Sequence, residues 1–244
     1  QKLFNGTHLY IHPEYGVRVT NNANEIAHYE YGSSLASDSV LDALNHLKEG
    51  QTELEAGNHL TKDGQFPNVV TIAAFGDRFQ NANIYPVDRE LKLGDKVALT
   101  ERVVYPYLNA YFYWLENMKI GMSGGEFYDK FSSVYPQEVY GWELCPGHLT
   151  SNEEWMSSPL YRGSKDKIKS GMIFQVDFIP IQPGHNGVSA ESTLALADEK
   201  LRTEIKQNYP SLWDRIEKRR EYIKNELNIQ LYEEILPLAS TLAY

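Results

Sequence analysis

Apolar and small residues at Ile26, Ser33, Leu35, Val40, Leu41, Leu44 and Leu47 recur at roughly helical spacing, and Gly50 follows as a stop. That pattern predicts a long amphipathic helix from about Asn24. Thr52-Glu53-Leu54-Glu55 then forms a capping box, in which Glu55 reaches back to the start of a second helix running to about Asp63-Gly64. The β-branched run Asn68 to Phe75, bounded by Gly76, and the alternating run Lys96 to Val104 after the Gly94-Asp95 turn both read as strands. Tyr105 to Trp114, with Tyr107, Tyr111, Phe112 and Tyr113, suits a strand packed on both faces, as plain core rather than an aromatic ligand cage. A short helix is expected after Gly124-Gly125, then a loop rich in Pro, Gly and Trp through Tyr140 to His148. Downstream, Asp198 to Asn208 is helical, Pro210 breaks it, and Ser211 caps a last helix with Leu212, Ile216, Arg219, Ile223 and Leu227 on one side. Helices first, then strands, then helices again predict an α+β fold with a curved, mainly antiparallel sheet flanked by helices.

The segment Gly171 to Leu196 reads as a β-hairpin around the turn Pro183-Gly184-His185-Asn186-Gly187. Asp177 and Glu191 lie equally far from Gly184, so a regular hairpin sets them opposite each other on one face. Two carboxylates there repel, and a cation, a shared proton or a basic group between them relieves the repulsion. A bulge that shifts the register would instead leave both simply solvated.

With 244 residues, 42% hydrophobic and 23% charged, the chain can bury a sizeable core as a globular protein. It has no apolar run long enough to span a bilayer. A net charge of −10 argues against a general nucleic-acid binder, and Lys165-Asp166-Lys167-Ile168-Lys169 reads as a solvated loop. The single cysteine, Cys145, excludes an internal disulfide, and a reducing, cytoplasmic location is expected. It reads as a small buried residue, because no motif marks it as a nucleophile. The chain begins at Gln1 without signal-peptide features, so residues 1–22 are expected to be the tail of an N-terminal domain and 23–244 the main domain with a C-terminal helical extension.

Gly171-Met172-Ile173-Phe174-Gln175-Val176-Asp177 resembles the Gly-Met-x-Phe-x-x-Glu strand of the creatinase and methionine-aminopeptidase group, the pita-bread metallopeptidases that include prolidase and Xaa-Pro aminopeptidase. Pro183-Gly184-x-x-Gly187-Val188-x-x-Glu191 is similar to that family's turn and second strand, and Pro146-Gly147-His148 to its Gly-His segment. The resemblance also takes in Arg89 to Val97 and spans about Gly16 to Arg202. It implies a pita-bread fold, a cleft for a peptide or small-molecule ligand, and a homodimer.

In that family two Asp, one His and two Glu hold a pair of divalent metals whose bridging water attacks a peptide bond. The resemblance places His148, Asp177 and Glu191 on the His and the two Glu positions, with Asp in place of the first Glu. The first Asp position falls on Thr100, beside Glu101, and the second falls near Asn109 to Tyr111, where no carboxylate exists. Thr100, Tyr111 and Trp155 remain as substrate-binding candidates, in a pocket narrower and more apolar than an active peptidase's. A bridged metal pair needs several anionic ligands, so the expectation is either no metal or a single divalent ion such as Mn, Co or Zn. Three readings stay open. One is a peptidase-like binding domain without di-metal activity; another is a hydrolase or lyase using one metal, or His148 alone as acid or base. The last is an active Xaa-Pro peptidase whose missing ligands are Glu101 or Glu143.

Overall fold

The computed structural model describes residues 12, 16, 18–60, 71, 73–80, 85–95, 101–150, 157–180 and 192–238. Helix α1 (Ala23–His46) starts at Asn22, whose side chain accepts from the backbone of Asn24 and Glu25 while Glu25 returns a bond to the Asn22 N–H. Helix α2 (Glu53–Asn58) carries the capping box expected from its sequence, but it ends at Asn58. Residues 61–64 of its expected extent lie outside the described residues.

Expected strands are corrected where the residues are described; residues 68–70, 72 and 96–100 of the runs 68–75 and 96–104 lie outside the described residues. Residues 71 and 73–75 form no strand, and a short 3-10 helix, Gly76–Gln80, follows them. The backbone N–H of Phe75 goes instead to the buried Glu53 carboxylate at 2.8 Å, and the Val87 N–H goes to its other oxygen at 3.0 Å. A side chain therefore takes donors that a strand would give to a neighbour. The second correction is larger, because α3 (Glu101–Asn117) occupies the end of the alternating run and the whole aromatic run. Tyr107, Ala110, Tyr111, Trp114, Leu115 and Met118 are buried, which is the three-and-four spacing of one helical face.

Helix α4 (Gly124–Val134) begins at Ser123, and the one-turn α5 (Gln137–Tyr140) follows. Gly124 and Gly125 are glycine for reasons of space, since a Cβ on either would lie 1.9 Å or 2.5 Å from the carbonyl oxygens of Pro159 and Ser164. The lysine-rich run is not a solvated loop. Ser164, Asp166 and Ile168 are buried between exposed Lys165 and Lys167, and Lys167 bridges to Ser123 beside the start of α4.

Four strands, β2 (His148–Leu149), β3 (Ile173–Val176), β5 (Ser192–Leu196) and β6 (Ile235–Pro237), form an antiparallel sheet in the order β2-β3-β5-β6. Two more, β1 (Glu143–Leu144) and β4 (Phe178–Ile179), pair separately. Alternation sends Phe174, Leu194 and Leu196 toward α3 and α4, where they pack with Trp114, Phe127 and Phe131. Ile173 and Ala195 point the other way, into a cluster with Ala23 and Ile26 of α1, Ile205 of α6 (Glu199–Asn208) and Ile216 of α7 (Pro210–Asn225). The sheet thus lies between two helical layers, an α+β arrangement. Ser211 does not cap α7; Pro210 is itself the first residue, where its missing N–H costs nothing. Among the described residues no helix is long and apolar enough to cross a membrane.

Candidate functional site

Pairing of β2 with β3 sets His148 opposite Gln175, and pairing of β3 with β5 sets Gln175 opposite Thr193, so these three side chains share a face. The Thr193 hydroxyl donates to Gln175 Oε1 at 2.6 Å. Asp177, two residues beyond Gln175, falls on the same face as a diagonal neighbour of His148, and His148 Nε2 lies 3.8 Å from Asp177 Oδ2. Both side chains are largely buried, 14% and 10% exposed, so their interaction is poorly screened by water.

A bulge helps bring them together. Leu144 pairs with Phe178 and His148 with Gln175, so four steps along one strand match three along the other. The extra residue lies in Cys145-Pro146-Gly147, directly before His148, and bulges of this kind re-aim the neighbouring side chain. Three bonds fix that loop. Trp114 Nε1–H donates to the Pro146 carbonyl at 2.8 Å, and the Ser158 hydroxyl and Cys145 thiol donate to the Gly147 carbonyl at 2.7 Å and 3.1 Å. Gly147 itself adopts φ +148°, and a Cβ there would sit 3.3 Å from the Gln175 carbonyl. Cys145 is held as a thiol: burial pushes its pKa up, the nearby Asp177 charge adds to this, and the bonds involving Ser158 and Gly147 oppose it. It is not a ready nucleophile.

The tautomer of His148 follows from its other nitrogen. Nδ1 lies 3.0 Å from the Leu149 carbonyl, so Nδ1–H donates there and Nε2 is the nitrogen that faces the carboxylate. At 3.8 Å, Nε2 and Oδ2 are too far apart for a direct hydrogen bond and close to the roughly 3.3–3.6 Å that separates two ligand atoms bound to one tetrahedral zinc-like ion. The pair therefore fits a single divalent ion, with a backbone carbonyl orienting the imidazole as second partners of metal-bound histidines do.

The register of β3 and β5 pairs Val176 with Ser192, in step with the count from Gly184. Glu191, next in the chain, lies outside the described residues, as do Thr100 and Trp155. Tyr111 is described, and it is not brought to His148 and Asp177. It stands on α3 against the opposite sheet face, where its hydroxyl donates to Ser192 Oγ at 2.8 Å. Burial raises the Tyr111 pKa to about 12, with the Ser192 bond pulling weakly the other way. Trp114, Gly147 and Ser158, which position His148, were not singled out for this site. Only the φ demand on Gly147 carried a signal in the chain itself, through its place in Pro146-Gly147-His148.

No protein-family model and no curated protein matches this chain. Solved structures do. A prolidase from Pyrococcus furiosus aligns at 19% identity with a TM-score of 0.64, over 75% of this chain and 64% of that one. The Xaa-Pro dipeptidase from Bacillus anthracis (17%, TM-score 0.61) and the X-Pro aminopeptidase from Thermotoga maritima (15%, TM-score 0.60) each match over 75% of this chain and 61% of theirs. The chain has the pita-bread fold. It spans less than two thirds of the length of these peptidases. Within the pita-bread fold, His148 stands on β2 and Asp177 directly after the neighbouring β3, and the bulge at Cys145-Pro146-Gly147 sets their approach.

Proposed function

We propose that this is a Xaa-Pro-peptidase-like domain that binds a peptide or small molecule beside His148 and Asp177 without di-metal hydrolysis. The observation that supports this reading most is the start of α3 at Glu101, only five residues, 96–100, after Asp95. Asn109 to Tyr111, where a second metal-binding Asp would stand, is helical; Ala110 is buried and Tyr111 is turned to the far side of the sheet. Without carboxylates from those two positions, His148, Asp177 and Glu191 are left to hold any ion, and three ligands hold two divalent ions poorly. An ion bound there would supply Lewis acidity and an acidified water. The chain's own contribution is to orient the His148 ring through Leu149 and to bury Asp177 beside it.

A second reading has its own support. The 3.8 Å spacing of Nε2 and Oδ2 suits one ion, and the ring stands beside a buried carboxylate, which supports a single-metal hydrolase or lyase, or His148 as an acid or base. Calorimetric titration of the metal-stripped chain with a short Xaa-Pro peptide tests the binding claim. Measurable binding is expected, weakened more than about tenfold, or about 1.4 kcal/mol, by Asp177→Asn or His148→Ala. Equal affinity in wild type and both variants, or no binding to wild type, would refute it. Stoichiometric metal together with turnover would favour the second reading.

A further inference from the structure

The last turn of α1 and the end of α2 gather three side chains that the His148 site does not use. Asp42 and His46 are one turn apart on α1, so they project from the same face. Six residues, 47–52, turn the chain back into α2, and His59, its C-cap, returns to meet them. His59 Nδ1 lies 2.7 Å from one Asp42 carboxylate oxygen, and His46 Nδ1 lies 3.5 Å from the other. The two imidazole rings stack with centroids 4.6 Å apart and planes 14° apart. A donor atom from each residue lies within 4.8 Å of the other two.

We propose that Asp42, His46 and His59 form a binding site for one divalent ion of the zinc class. The 3.5 Å separation already lies within the roughly 3.3–3.6 Å between two donors on a tetrahedral ion with bonds of about 2.0–2.2 Å, and the 2.7 Å His59–Asp42 contact would open to that spacing. The ligand atoms lie within 4.8 Å of one another, and drawing the two imidazoles together falls on His46, whose side chain is 58% exposed. Two imidazole nitrogens with one carboxylate select zinc, cobalt, nickel or copper over magnesium and calcium, which take oxygen ligands. The fourth position is left for water or an anion. The site lies at the carbonyl end of a 24-residue helix, where the macrodipole favours a cation.

Such an ion would tie α1 to α2. Through the buried Glu53 of α2, which takes the N–H groups of Phe75 and Val87 and the Arg78 guanidinium, it would also steady the segment that follows. The bland competitor is an ordinary Asp42–His59 pair with His46 bonded to its own helix at the Asp42 carbonyl. That arrangement predicts no metal dependence.

The test is a cobalt titration of the full, metal-stripped chain, read by the visible absorption of tetrahedral cobalt and by metal analysis after dialysis, and repeated in a His148→Ala background. In that background one equivalent is expected, with tetrahedral bands displaced by zinc and a zinc-dependent rise in melting temperature. His46→Ala, His59→Ala and Asp42→Asn should each weaken binding more than about tenfold. His46 is exposed enough that its variant tests the ligand without threatening the fold. The proposal is overturned if the His148→Ala chain binds no cobalt or zinc, or if binding survives unchanged in the His46→Ala, His59→Ala double variant. Loss of metal on His148→Ala alone would place the ion at the other site and leave this one refuted.

Discussion

At the scale of single residues, the sheet separates two kinds of buried polar group. His148 and Asp177 face one way as a close pair, while Tyr111 faces the other way and spends its hydroxyl on Ser192. The Tyr111 pKa, raised to about 12, carries a stability consequence whose sign is fixed. Between the ordinary tyrosine value near 10 and about 12, the folded state keeps a proton that the unfolded chain releases, so stability falls as pH rises through that window. Below about 10 the contribution is fully present. Unfolding free energies from denaturant titrations on either side of the window should drop by about 1–3 kcal/mol more in wild type than in Tyr111→Phe. Equal slopes in the two proteins would mean that Tyr111 titrates like an exposed phenol. The hairpin count and the family pattern both singled out Asp177, and the resemblance singled out His148, which lies 3.8 Å from it; Glu191, the residue paired with Asp177 by the count, lies outside the described residues. What spacing could not reveal was the bulge before His148, since a single extra residue leaves no mark on an alternation already broken by Pro146 and Gly147.

At the scale of elements, helix ends were readable and the aromatic segment was not. Thr52 with Glu55 closes its capping box in the structure, and α1 starts within a residue of its expected position. The Tyr105 to Trp114 run misled because aromatic and β-branched composition favours strands. Its periodicity pointed to α3: residues 107, 110, 111, 114, 115 and 118 all face inward. Composition gave the wrong element where period gave the right face. The α1–α7 contact holds a further feature that apolar periodicity cannot reveal, a fully buried Glu30 bonded to Arg219 at 2.5 Å and paired with Arg215 at 3.4 Å. Arg219 is only 11% exposed, so removing its carboxylate leaves a cation with little water. Glu30→Ala should cost about 3–5 kcal/mol in chemical denaturation. A loss within the ordinary range of surface pairs, under about 1 kcal/mol, would show that water reaches Arg219 after all.

At the scale of the whole molecule, the order of helices and strands was enough to predict α+β, and the antiparallel sheet between helical layers accords with it. The fold does not decide the chemistry, because the same scaffold serves wherever its site residues are kept or lost. Here the feature that supports the reading most is α3, a helix with a buried, largely aromatic face that includes Asn109 to Tyr111, where the family pattern would have its second Asp. Hydrolysis of an unstrained peptide bond needs a water whose acidity comes from tightly held cations, and Asn109, Ala110 and Tyr111 offer no anion to hold one. The most direct measurement is the cleavage of Xaa-Pro dipeptides by the purified chain with added manganese, cobalt or zinc, run beside His148→Ala to expose contaminating peptidases. The expected result is no metal-dependent turnover above that of the variant. Metal-dependent cleavage by wild type that His148→Ala abolishes would contradict the account and make this a working metallopeptidase.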